Sequence, residues 1–132
     1  MLSDSLKKTI RQIHKHVADN LTDYRPRSSQ NYLVAEIAKT LAGEYHKSQR
    51  ICVIEAGTGT GKSLAYCLGA LPLAMAKKKK LVISTATVAL QEQLISKELP
   101  FFKEHSGLDI KFDLVKGRQR YICAQKLSAA VN

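Results

Sequence analysis

Glu55-Ala56-Gly57-Thr58-Gly59-Thr60-Gly61-Lys62-Ser63 follows the apolar run Ile51-Cys52-Val53-Ile54 and leads into Leu64-Ala65-Tyr66-Cys67-Leu68. A strand, a glycine-rich turn and a helix start in that order predict a phosphate-binding loop ending in Gly61-Lys62-Ser63. Such a loop turns backbone N–H groups inward through dihedrals that a Cβ resists, which suits Gly57, Gly59 and Gly61. Lys62 adds a mobile positive charge and Ser63 a hydroxyl for Mg²⁺. The unpaired N–H groups of the helix start add roughly half a positive charge at the same point. Thr58 and Thr60 fill the turn, and Ala56 stands where the strict pattern has its first glycine. A dinucleotide-binding turn fits poorly, because it needs G-x-G-x-x-G without the following Lys-Ser. The non-functional alternative is a Gly/Thr-rich turn that happens to precede a lysine.

The chain has 132 residues and is 45% hydrophobic, enough for one domain with a core. Its formal net charge of +10 suits either a polyanion partner or a solubilising surface. Cys52, Cys67 and Cys123 are too scattered for a secreted disulfide framework, so the expected compartment is a reducing cytoplasm. Asp4, Lys7, Lys8 and Arg11 interrupt the amino-terminal stretch, so no signal peptide is read there. The longest charge-free apolar run, Leu64 to Ala76, falls short of the ~20 residues a bilayer span needs, and no membrane contact is expected.

Leu6, Ile10, Ile13 and Val17 predict an amphipathic helix from about Ser5 to Asn20. His14 and His16 fall on different faces of it and are read as surface residues. Residues 22–30 form a connector in which Pro26 breaks the helix and Ser28 or Ser29 caps the next one. That second helix carries Leu33, Ile37, Ala38 and Leu41 and stops near Gly43. After the loop, a buried helix should be kinked by Pro72 and end at Lys77 to Lys80, as solvated charge at a helix terminus. Leu81-Val82-Ile83 predicts a short buried strand. Thr87 caps a helix with Val88, Leu90, Leu94 and Ile95, which Pro100 closes. Ile110 to Val115 predicts a third strand, and the basic stretch Lys116 to Cys123 enters a last helix. Strands alternating with helices imply an α/β fold with a parallel sheet and a site at the strand ends.

With these pieces in order, the whole chain resembles the amino-terminal part of the DinG-type ATP-dependent DNA helicases, in the XPD-like branch of superfamily 2. Arg27-Ser28-Ser29-Gln30 is similar to the family's glutamine motif, which implies that Gln30 hydrogen-bonds adenine. Glu55 to Ser63 matches motif I. Val82 to Gln91 resembles motif Ia, which implies that Thr85, Thr87 and Gln91 line a track for single-stranded DNA. Arg118 and Arg120 offer phosphate-binding charge for DNA and Tyr121 a ring on which a base could stack, and Lys116-Gly117-Arg118-Gln119-Arg120-Tyr121-Ile122-Cys123 resembles the entry to the iron–sulfur domain. That resemblance implies a first cluster ligand at Cys123, with the 4Fe-4S cluster belonging to the full-length family only, whereas Cys52 in its apolar run and Cys67 in the apolar helix are expected to be buried small hydrophobes.

The resemblance implies a partial RecA-like helicase domain of the P-loop NTPase class. Residues 1–48 are a helical lead-in, 49–115 the P-loop α/β core and 116–132 the start of the iron–sulfur region. It implies ATP and Mg²⁺ as cofactors, DNA single strands and duplex junctions as partners, and DNA repair as a setting. Lys62 would hold the β and γ phosphates and Ser63 would ligate Mg²⁺. A Walker B acid would be an Asp closing an apolar run. The nearest candidate, Asp113, sits inside its run, so the chain is expected to be the first piece of a longer enzyme and to bind nucleotide without turnover. The alternatives are a non-catalytic nucleotide or DNA-binding module, and an unrelated P-loop ATPase or kinase.

Overall fold

The computed structural model of the chain describes residues 1–25 and 27–131. Among them the regular structure is helical. In order come α1 (Asp4–Asp19), α2 (Ser28–Ala42), α3 (Lys62–Ala76), α4 (Val88–Gln93), a π-helical segment (Leu94–Glu98), α5 (Leu99–Ser106), a 3₁₀ turn (Arg118–Arg120) and α6 (Ala124–Val131).

Most of these boundaries have a local cause. Ser3 accepts from the Leu6 amide, and Asp4 sits in the first turn of α1, where the helix dipole favours a carboxylate. α2 starts at Arg27 without a side-chain cap, so Ser28 and Ser29 are first-turn residues and not the expected cap. The break expected at Pro26 lies outside the described residues. Gly43 ends α2 in the left-handed region (φ 82°), and the Gly43 and Glu44 amides bond back to the carbonyls of Thr40 and Lys39. Thr87 caps α4 through the Leu90 amide, as its sequence position predicts. Pro100 does not close that helix. It lies in the first turn of α5, and because it has no N–H to give the Ser96 carbonyl, an ordinary turn cannot pass through it. The turn before it widens instead, with the Leu99 amide bonding to the Leu94 carbonyl.

The core is made between helices. Ile10, Ile13 and Val17 of α1 meet Leu33, Val34 and Ala38 of α2, Ala65, Cys67, Leu68 and Leu73 of α3, and Leu99 and Phe102 of α5. α3 is central, packing on α1 and α2 and reaching the π-helical segment. Gly69 lets α2 and α3 approach closely, since a Cβ there would lie 2.9 Å from Ile37 Cβ and 3.0 Å from the Val34 carbonyl.

The expected α/β architecture is corrected by this arrangement. No strand forms among the described residues, so there is no parallel sheet and no RecA-like layering. The runs at 51–55, 81–85 and 110–115 carry no ladder. Ile51 is 78% exposed, Val53 93%, Val82 86% and Val115 83%, although Ile110 is buried in the core. The reason lies in what β-branched composition measures, which is fit to a pleated surface that neighbouring strands must supply. A helix satisfies its backbone within itself, whereas a parallel strand depends on partners far away in sequence. The helices bury one another's apolar faces, and of these runs only single side chains reach the core, Ile110 within it and Ile83 against it. Cys52, expected to be buried in the first of them, is exposed, whereas Cys67 in α3 is buried as expected.

Candidate functional site

The loop from Glu55 to Gly61 is held by short-range bonds. The Thr60 amide and hydroxyl both donate to the Gly57 carbonyl, at 3.4 and 2.6 Å. Gly59 and Gly61 both adopt φ 78°, a conformation that costs a residue with a Cβ roughly 1–2 kcal/mol. Gly61 occupies the cap position of α3, and Lys62 is that helix's first residue. The Lys62 ammonium turns back on the loop, donating to the carbonyls of Ala56 at 2.8 Å and Gly57 at 3.0 Å. These carbonyls orient the charge at the mouth of the loop. A phosphate arriving there offers stronger, charge-assisted acceptors for the same donors.

The loop forms the floor of a cleft of about 880 Å³. Tyr24, Arg27 and Gln30 stand on one side of it, and Gln93, Lys97, Glu98, Phe101 and Phe102 on the other. Thr58, Gly59, Gly61, Lys62 and Ser63 line it between them. A helix start, Lys62, Lys97, Arg27 and the rings of Tyr24, Phe101 and Phe102 therefore share one concave surface.

Gln30 is the buried polar residue of this wall, only 4% exposed. Its Nε2 donates to the Gly61 carbonyl at 3.2 Å, and its Oε1 accepts from the Tyr24 hydroxyl at 3.1 Å. Tyr24 is in turn 2.8 Å from His14 Nε2. The expectation that His14 is a surface residue is thus corrected, because it is half-buried and engaged, and burial lowers its pKa from the ordinary 6.5. Gly61 must be glycine for a second reason besides its φ. A Cβ there would collide with Gln30 Nε2.

The residues expected to meet DNA are not among those lining the cleft. Thr85 donates its hydroxyl to the Thr87 carbonyl at 3.3 Å, and the Thr87 hydroxyl is engaged in capping α4. Gln91 Oε1 accepts from Arg120 Nη1 at 2.6 Å, so two candidate positions far apart in sequence stand side by side. Arg120 also lies 3.9 Å from Glu92, and Arg118 is exposed in the same 3₁₀ turn. Tyr121 accepts from the Lys116 amide through its hydroxyl, and its ring stays exposed.

Cys123 is exposed just before α6. Among the described residues no group of three or more His, Cys, Asp or Glu side chains could hold a metal ion. The donor set of a four-thiolate cluster is therefore not assembled by them. Cys67 is chemically distinct from the other two cysteines, its thiol pushed up to about 12 by burial and by the nearby Glu98 carboxylate.

Tyr24 and the Gln91–Arg120 pair went unread in the sequence, and His14 was misread. For His14 a signal existed, since it falls between Ile10 and Val17 at helical spacing, on the buried face. For the bond between Gln91 and Arg120 there was none.

Comparison with known proteins identifies relatives of the chain. The DEAD/DEAH box helicase model matches residues 35–132. The ATP-dependent DNA helicase DinG of Photobacterium profundum is 57% identical over 129 residues, covering 98% of this chain and 19% of that protein. DinG of Escherichia coli (strain K12) is 42% identical over 128 residues, 97% of this chain and 17% of its own length. DinG of Salmonella typhimurium is 41% identical over the same length. The chain thus spans under a fifth of the length of these relatives. It belongs to the DEAD/DEAH box helicase family.

Proposed function

We propose that this chain carries the nucleotide-binding segment of an ATP-dependent DNA helicase, and that by itself it binds Mg²⁺-ATP without turning it over. The observation that carries this reading is the shared cleft. The glycine loop, Lys62 and Ser63 form its floor, and Arg27 and Gln30 form one wall. Lys62 exchanges the Ala56 and Gly57 carbonyls for the β and γ phosphate oxygens, and the loop amides around Gly57, Thr58, Gly59 and Thr60 complete the cradle. Ser63 gives its hydroxyl to Mg²⁺. Bound ATP and Mg²⁺ supply a phosphoryl group activated for transfer to water. Gln30 keeps one amide hydrogen and one Oε1 lone pair beyond its present bonds, the complementary pair that reads an adenine edge.

Thr85, Thr87, Gln91, Arg118 and Arg120 take a single strand by its phosphates, with the exposed Tyr121 ring available for stacking. Residues 1–48 act as the lead-in that holds Gln30, 49–115 as the phosphate-binding segment and 116–132 as the entry to an iron–sulfur region. Cys123 is the ligand this chain contributes to a cluster whose remaining thiolates it does not bring together. A cytoplasmic location suits free cysteines beside such a site. The test is calorimetric titration of the chain with Mg²⁺-ATP, beside phosphate release with and without single-stranded DNA. Binding without steady release supports the reading, and absence of binding rejects it.

A further inference from the structure

The hydrogens of the wall around Gln30 can be assigned one by one. The Gly61 carbonyl can only accept, so the amide nitrogen of Gln30 must face it, and Oε1 must face Tyr24. The Tyr24 hydroxyl has one hydrogen, and it is given to Oε1 at 3.1 Å. His14 Nε2, 2.8 Å from the Tyr24 oxygen, must therefore carry a proton and donate it. His14 lines a second cleft, of about 640 Å³, where Lys7, Arg11 and Lys15 of α1 and Lys39 of α2 flank it. Burial lowers the ring's pKa from 6.5 and so favours its neutral form, in which the bond to Tyr24 requires the proton on Nε2.

We propose that His14 and Tyr24 are positioning residues for the nucleotide site. Through the chain His14 Nε2–H to Tyr24 O–H to Gln30 Oε1, and Gln30 Nε2–H to the Gly61 carbonyl, they set which edge of the Gln30 amide faces the base and pin Gln30 against the phosphate loop. This rests on the nucleotide-binding reading above. Its consequence for recognition is specific. An amide held in one orientation offers a donor and an acceptor in fixed order, which fits the N6–H and N1 of adenine's Watson–Crick edge, whereas guanine presents the reverse there, with O6 accepting and N1–H donating. An amide free to flip accommodates both. α1 thereby acts on base choice from a position outside the nucleotide cleft, in contact with neither phosphate nor base.

The test uses the 132-residue chain and the variants Tyr24→Phe, His14→Leu and His14→Gln. Glutamine at 14 can still donate to Tyr24 through its amide nitrogen, and leucine cannot. Affinities for Mg²⁺-ATP and Mg²⁺-GTP are measured by calorimetry, and amide hydrogen exchange at 57–63 is measured without nucleotide. Tyr24→Phe and His14→Leu should lower the preference for ATP over GTP about fivefold, the factor one net hydrogen bond supplies, and speed exchange in the loop. His14→Gln should restore both. A variant that merely loosens the fold weakens the two nucleotides alike and leaves their ratio unchanged, and that result overturns the proposal.

If the wild-type chain binds neither nucleotide, the nucleotide reading fails first. The loop exchange then decides the network by itself, and unchanged exchange in Tyr24→Phe overturns it. Nitrogen-detected spectroscopy of the His14 ring gives an answer without any variant. The Nε2–H tautomer is expected, and the Nδ1–H tautomer contradicts the chain of bonds.

Discussion

Replacing each loop glycine by alanine in turn should produce a graded loss of stability that ranks Gly61 well above Gly59 and Gly59 above Gly57. At Gly57 an added Cβ meets nothing within 4 Å, so the change should stay within about 0.5 kcal/mol. At Gly59 the nearest atom, Arg27 Nη1, is 4.0 Å away, and only the left-handed backbone penalty of roughly 1–2 kcal/mol applies. Gly61 carries the same φ of 78°, and Gln30 Nε2 already occupies the space the added carbon would take. Gln30 is buried, so its amide cannot swing into water and keep its bonds elsewhere. Losing the bond to the Gly61 carbonyl and leaving a buried amide unpaired adds roughly 1–3 kcal/mol, for a total of about 2–5 kcal/mol. Urea unfolding of the single variants measures the series. The double variant Gly61→Ala with Gln30→Ala should be markedly less destabilised than the sum of its parts, because the clash is counted in only one of them. Equal stability of Gly61→Ala and Gly59→Ala would refute the close contact on which the wall of the cleft depends.

Three other outcomes are expected. Cys52 and Cys123 should react quickly with a thiol reagent near neutral pH, while Cys67, buried and with its thiol pushed up to about 12, reacts only on unfolding; mass spectrometry after timed labelling checks this. Because burial lowers the His14 pKa from 6.5, the unfolded chain takes up a proton at that ring before the folded chain does. Its contribution to stability is complete above 6.5 and is lost as pH falls toward the folded value, so unfolding curves compared across that window should show a decline that His14→Gln reduces. Arg118→Ala combined with Arg120→Ala should lower the slope of log affinity for single-stranded DNA against log salt by about two. A slope unchanged from wild type would remove both arginines from the DNA surface.

The helical half of the fold was legible in the sequence because its causes are local. Apolar spacing through Ile10, Ile13 and Val17, the Thr87 cap and the glycine at position 43 each act within a turn of the residues they organise. The three expected strands were read from local composition, alternation and order, which report what a strand would need and not whether a neighbour arrives. Ile51, Val53 and Val82 accordingly face outward. The turn before Lys62 was legible because Gly59 and Gly61, both at φ 78°, occupy positions that a residue with a Cβ resists. The bonds of Gln30 were hidden because Tyr24 and His14 come from a connector and from the buried face of α1. Only the packing of α1 and α2 against the start of α3 brings them into line. Pro100 shows a similar limit, as a residue that usually ends a helix can be absorbed when the preceding turn widens.

The central claim is that the loop ending in Lys62 and Ser63 holds a nucleotide triphosphate, and calorimetric titration of wild type and Lys62→Ala with Mg²⁺-ATP tests it most directly. Lys62 supplies the one full positive charge that is bonded into the loop itself, at 2.8 and 3.0 Å from the Ala56 and Gly57 carbonyls. A charge-assisted bond of this kind contributes about 1.5–3 kcal/mol, so the variant should bind at least about tenfold more weakly, with an unchanged unfolding midpoint. Equal affinity in the two proteins would contradict the claim.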